Sequence, residues 1–97
     1  MKPFRWSPEK NGELLTSRGV SFERVVVAVE GDGLLDVLVH PNPDRHPNQK
    51  ILVVSWDAYV YLVPYVEEAD YYFLKTIIPS RKATRDYLHA GEPDASD

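Results

Sequence analysis

The chain has no cysteine, only one methionine and only three histidines in 97 residues. Without cysteine there is no disulfide framework, no thiolate nucleophile and no thiolate metal ligand, so the fold must be held by packing and hydrogen bonds. Two of the histidines, His40 and His46, stand six apart in a proline-rich stretch without a close pair of carboxylates. That spacing does not fit the usual zinc constellations, so neither a metal nor a cofactor is expected. Long apolar runs are missing too: no stretch approaches the ~18 residues that span a bilayer, and the start MKPFRWSPEK has no continuous apolar segment of a secretory signal. The expectation is a cytoplasmic protein without a membrane partner. A glycine-rich phosphate loop is absent, since Gly31-Asp32-Gly33 opens no helix. The net charge of −4 excludes a nucleic-acid footprint over the whole surface.

What is present suits one small α+β domain over residues 1–90. Forty-three per cent of the chain is hydrophobic, enough for a single core. Charge is uneven near the end: residues 79–90 carry Arg81, Lys82 and Arg85 against Asp86, while residues 91–97 carry Glu92, Asp94 and Asp97. The latter reads as an acidic, disordered tail that can fold back over the basic stretch.

Three runs, KILVVSW (50–56), YVYLVPYV (59–66) and YYFLKTII (71–78), are rich in β-branched and aromatic residues. The separators 57–58 and 67–70 are short enough for hairpin turns, which predicts an antiparallel meander. In the middle run Tyr59, Tyr61 and Val63 share one face and Val60, Leu62 and Pro64 the other, and Pro64 requires an edge or a bulge. FRW (4–6) predicts a short strand added at an edge. Ser7-Pro8-Glu9 opens a helix that runs to about Arg18 and stops at Gly19. Ser21 caps a second helix with Phe22, Val25, Val26 and Val29 on one stripe. A strand is the rival reading there, because valines 25, 26, 27 and 29 are poor helix formers, but the 3.6-residue spacing favours helix. Residues 34–39 read as a further strand, the proline loop 41–48 follows, and Ser80 caps a last helix through Leu88. The coarse order is βααββββα, with two N-terminal helices on one face of the sheet.

FRWSPEKN near the start, RGVSFE before the second helix, the PNPD loop, the meander and the closing IIPSRKAT with Tyr87 together resemble the BrnT-type toxins of bacterial toxin–antitoxin pairs, within the RelE/ParE superfamily. The likeness covers about residues 4–88. Where that family usually has Asp after the tryptophan this chain has Ser7, one N-cap exchanged for another, and Asp86 is the approximate counterpart of an acidic residue in the last helix. The resemblance implies a RelE-like fold and a ribonuclease that arrests growth by inhibiting translation. It also implies a cognate antitoxin whose ribbon-helix-helix domain binds promoter DNA, so that the toxin meets DNA only through a complex such as a heterotetramer.

Metal-free RNA cleavage needs a base for the 2′-hydroxyl, a cation beside the phosphate and an acid for the leaving oxygen. Glu23, His40 and His46 are the candidates for proton transfer, and Arg81 and Lys82 at a helix N-terminus are the candidate phosphate clamp. Lys10, Arg45, Lys50 and Lys75 are further phosphate ligands, and Trp6 is a base-stacking or core residue. Arg45, Arg81 and Lys82 are the cations expected to meet the antitoxin. The alternative is a non-catalytic binding module, a degenerate toxin or scaffold that only holds a partner.

Overall fold

Each helix begins at a serine. In the computed structural model, which describes residues 2–39, 41, 42 and 44–90, β1 (Phe4–Trp6) passes through Ser7 into α1 (Pro8–Arg18). The Ser7 hydroxyl accepts from the Lys10 N–H at 3.2 Å, and Pro8 occupies the first turn, where its missing donor costs nothing. Gly19 closes α1 at φ +69°, a left-handed conformation that side chains resist. Ser21 caps α2 (Phe22–Glu30) by accepting from the Arg24 N–H. Helix wins over strand here because Phe22, Val25, Ala28 and Val29 are buried as one stripe, and that tertiary gain exceeds the few tenths of a kcal/mol by which each valine disfavours helix.

Among the described residues the fold is α+β, with three helices and a mixed, mostly antiparallel sheet. β2 (Leu34–Val39), β3 (Gln49–Trp56), β4 (Tyr59–Glu67) and β5 (Tyr72–Leu74) pair antiparallel, and β1 joins β5 in parallel, giving the order β1-β5-β4-β3-β2. The turn between β3 and β4 is the two-residue pair Asp57 and Ala58, both at positive φ (52° and 62°), the twist that a tight hairpin demands.

The run 71–78, expected as one strand, is two. β5 ends at Leu74, opposite Tyr65, and β6 (Ile78–Pro79) resumes on β4 with Ile78 opposite Leu62, so four steps on one strand answer three on the other. Pro64 is the reason. The Lys75 N–H donates to the Pro64 carbonyl at 2.8 Å, but Pro64 has no N–H to return, and the ladder lapses on the side where that donor is missing. Pro64 thus sits in a central strand at an irregularity, and the extra residue lets Ile77 turn fully into the core.

The sheet is covered on both faces. On one, Leu14 of α1 and the stripe of α2 pack against Leu52, Val54, Trp56, Val63, Tyr65, Leu74 and Ile77. On the other, α3 (Arg81–Leu88) lays Ala83 and Leu88 over Val53, Val60 and Leu62. The alternation read along β4 therefore sorts its side chains into two cores. Gly33 makes the crossing from α2 to β2 possible: a Cβ there would stand 2.5 Å from the Ser55 carbonyl oxygen and 2.9 Å from Ala28 Cβ. Met1, Pro43, the candidate base His40 and the acidic tail 91–97 lie outside the described residues.

Two substitutions test these joints. Gly33→Ala forces backbone apart and should cost about 1–3 kcal/mol, as overpacking does. Thr84 is buried and its hydroxyl accepts the Val60 N–H at 2.8 Å, so Thr84→Val should cost about 1–3 kcal/mol by orphaning that donor. Urea unfolding monitored by circular dichroism checks both, and an unchanged midpoint for either would refute its stated role.

Candidate functional site

α3 begins in a doubly bonded corner. Ser80 donates its N–H to the Val60 carbonyl at 3.0 Å and caps the helix by accepting from the Ala83 N–H at 3.0 Å. Thr84, one turn on, accepts from the Val60 N–H and donates its hydroxyl to the Ser80 carbonyl at 2.7 Å. Both backbone groups of Val60 are thereby spent on α3, and the helix start is held rigidly on β4. Its first two N–H groups, those of Arg81 and Lys82, find no acceptor among the described residues.

Arg81 is exposed and makes no ion pair or hydrogen bond among the described residues. Lys82 is engaged: its Nζ lies 3.0 Å from Asp86 Oδ2, one turn along, and Arg85 Nε approaches the other oxygen at 3.6 Å. The hydrogen bond from Lys82, chiefly, lowers the Asp86 carboxyl below its ordinary value.

On the other face of the same end of the sheet, toward α1 and α2, stands a group of aromatic rings and arginines. Tyr61 pairs in register with Pro79, two residues before Arg81, and stacks flat on Trp56 at 3.8 Å between centroids. Tyr59 meets Tyr61 edge-on, and the Arg24 guanidinium lies over the Trp56 ring at 5.5 Å and 3.9 Å from Asp57. Arg18, at the end of α1, donates to the Ile77 carbonyl at 2.7 Å. Three arginines and a tyrosine pair are thus tied to the segment 77–81 or to the hairpin beside it. Burial, with the Asp57 charge second, raises the Tyr61 hydroxyl above its ordinary value and keeps it a proton donor at neutral pH.

The other candidates lie elsewhere. Glu23 stands on α2, across the sheet from α3, and its Oε1 accepts from Asn11 Nδ2 at 2.8 Å. Asn11 is buried in α1 and accepts the Phe22 N–H on its own oxygen, so it pins the start of α2 to α1. That bond is the main reason the Glu23 carboxyl is lowered, which makes it a weaker base. His46 sits in the loop before β3, where its N–H meets the Asn42 carbonyl and its own carbonyl accepts from Gln49. Gln49 pairs with Val66, at the far end of β4 from Tyr61, so roughly 17 Å of strand separates that loop from the α3 corner. Arg45 shares the loop, and Lys50 beside it lies 3.3 Å from Glu67. Lys75 rests over Phe73, and Trp6 is half-buried and stacked on Phe22 at 5.6 Å. Lys10 is a half-buried residue of α1. The structure therefore brings Arg81 and Lys82 together and does not bring Glu23, His46 or Arg45 to them. No group of three or more metal-ligating side chains occurs among the described residues, and no helix there is long and apolar enough to cross a membrane.

The Asn11–Glu23 bond has a pH signature. The folded carboxyl is lowered, so its contribution is fully present above the unfolded value of about 4.3 and is lost as pH falls through the folded one. Glu23→Gln should flatten the fall of melting temperature between about pH 5 and pH 3, and a variant with the same acid slope as the parent would refute the link. Comparison of the chain with family models, with curated proteins and with solved structures gives no match.

Proposed function

We propose that the protein is a toxin of the BrnT kind, a metal-independent ribonuclease neutralised by a cognate antitoxin with a ribbon-helix-helix domain. The observation that carries this reading is the unpaired Arg81 at the open N-terminus of a rigidly mounted helix. A cation there opposes the helix dipole and has no partner among the described residues, so its natural counterpart is an external anion, and its planar fork fits two phosphate oxygens. Arg24 and Arg18 and the rings of Tyr59 and Tyr61 lie on the α1 and α2 face of the same end of the sheet, where they would serve as a second patch for an extended RNA strand. In this mechanism Arg81 and the amides of the first turn stabilise the charge that grows on the phosphate.

A second reading, the binding module without catalysis, is favoured by one specific fact. The carboxylate proposed as base is held by Asn11 on the other side of the sheet, and His46 lies at the far end of β4. On that reading the arginines grip only the antitoxin.

Arg81→Ala separates the two. Loss of one preorganised phosphate contact typically costs about 100- to 1,000-fold in rate, so the ribonuclease reading expects the variant to lose growth arrest on induction while keeping its melting temperature. A folded Arg81→Ala protein that stays fully toxic but escapes the antitoxin would eliminate it as the phosphate ligand. Mapping of RNA 5′ ends after induction gives the independent measure of cleavage.

A further inference from the structure

β2 is the outermost strand, and it breaks the rule that edge strands are short, charged or covered. Its six residues, Leu-Leu-Asp-Val-Leu-Val, are all exposed, and five are large and apolar, with Val37 at 44% and Val39 at 66%. The one charge, Asp36, lies on the α3 side, where its carboxylate accepts from the Tyr87 hydroxyl at 2.8 Å and from the N–H of its neighbour Val37 at 2.8 Å, a local bond that pairing across the edge would exchange for a ladder bond. Depressions flank the strand on both faces of the sheet: an apolar one lined by Leu34 and Val37 with Val29, Leu52 and Tyr65, and a mixed one lined by Leu38, Leu62 and Tyr87 with Lys82 and Asp86. The opposite edge is built differently. β1 is three residues long, carries Arg5 at its centre and lies between Pro3 and Pro8.

From this asymmetry we infer that β2 pairs with β2 of a second copy of the chain, antiparallel about a two-fold axis perpendicular to the sheet. The strand is its own complement. An axis of that kind places each residue opposite one of the same face, which requires that the two positions sum to an even number. With Val37 on the axis, Asp36 lies opposite Leu38 of the partner and the two aspartates are not directly opposed, so no like charges face each other across the pair. Val37 lies on the face of Leu52, in the larger core, and Leu38 on the opposite face beside Leu62 at the margin of the smaller one, so the new pair extends both. A self-complementary edge meeting a blunted one closes at two copies and does not grow into a filament. Six residues of strand, about 20 Å, bury less than the ~800 Å² per partner of a standard interface, which places the dimer among the small, concentration-dependent ones. The inference is independent of any activity on RNA.

The absence of cysteine makes the test clean. Residues directly opposite in an antiparallel pair have Cβ atoms about 4.5–5.5 Å apart, close enough for a disulfide to form with small adjustment. Val37→Cys is expected to give a covalent dimer under mild oxidation, whereas Arg5→Cys on the other edge stays monomeric. Analytical ultracentrifugation of the parent chain should show mass rising from one chain toward two with concentration, and Val37→Lys with Leu38→Lys should weaken that association by about tenfold or more with the melting temperature preserved. The proposal falls if the parent remains a monomer at about 0.5 mM, if the lysine variant dimerises equally, or if Arg5→Cys cross-links as readily as Val37→Cys. A chain that is monomeric alone yet binds a foreign strand at β2 overturns it likewise.

Discussion

One missing hydrogen-bond donor shapes the second half of the molecule. β4 pairs with β3 along nearly its whole length on one side, and on the other it is shared between β5 and β6 with Pro64 at the break. Because a proline nitrogen cannot donate, the returning strand gains a residue there, Ile77 drops into the core under α1 and α2, and the chain emerges aimed at the opposite face. A regular ladder through the same segment would leave β5 and β6 as one strand and shift the register of everything that follows it.

The consequence is a sheet with two unequal cores. The larger, under α1 and α2, is aromatic and aliphatic and includes Phe22, Tyr65, Leu74 and Ile77. The smaller, under α3, is a short patch of Val53, Val60 and Ala83, too small to seat a helix by hydrophobic area alone. Hydrogen bonds do the rest: Ser80 and Thr84 take both backbone groups of Val60. The helix start is therefore positioned by directional bonds, whose geometry fixes orientation as well as distance, and Arg81 projects from that fixed base.

The same layering separates charges that share one small protein. Cations on the first face are used internally: Arg18 on the Ile77 carbonyl, Arg24 over Trp56, Lys2 and Lys50 on Glu67. The hydrogen bonds from Lys2 and Lys50 lower the Glu67 carboxyl and tie the β4–β5 end of the sheet to the N-terminus. Among the described residues Arg81 is the candidate clamp residue with no such duty, and β2 is the long strand left with both side-chain faces and an outer edge open.

Local features are legible in the residues alone. Ser7, Ser21 and Ser80 cap helices because each hydroxyl accepts from the N–H three residues on, and Gly19 ends a helix because its own φ allows it. The strand alternation of β4 and the hairpin turn at Asp57-Ala58 are legible for the same reason, since period and turn length are properties of a few consecutive residues. Tertiary structure alone decided which residues would act together. Asn11 meets Glu23 across 12 positions, Thr84 meets Val60 across 24 and Arg18 meets Ile77 across 59. None of these partners carries a mark in its own neighbourhood, because an amide, a hydroxyl or a guanidinium can be satisfied by any acceptor or donor that folding brings near. For that reason Arg81 and Lys82 could be found from a cap and two adjacent cations, while the tyrosine and arginine group on the other face, and the distance of Glu23 and His46 from α3, depended on how the sheet is covered on its two sides.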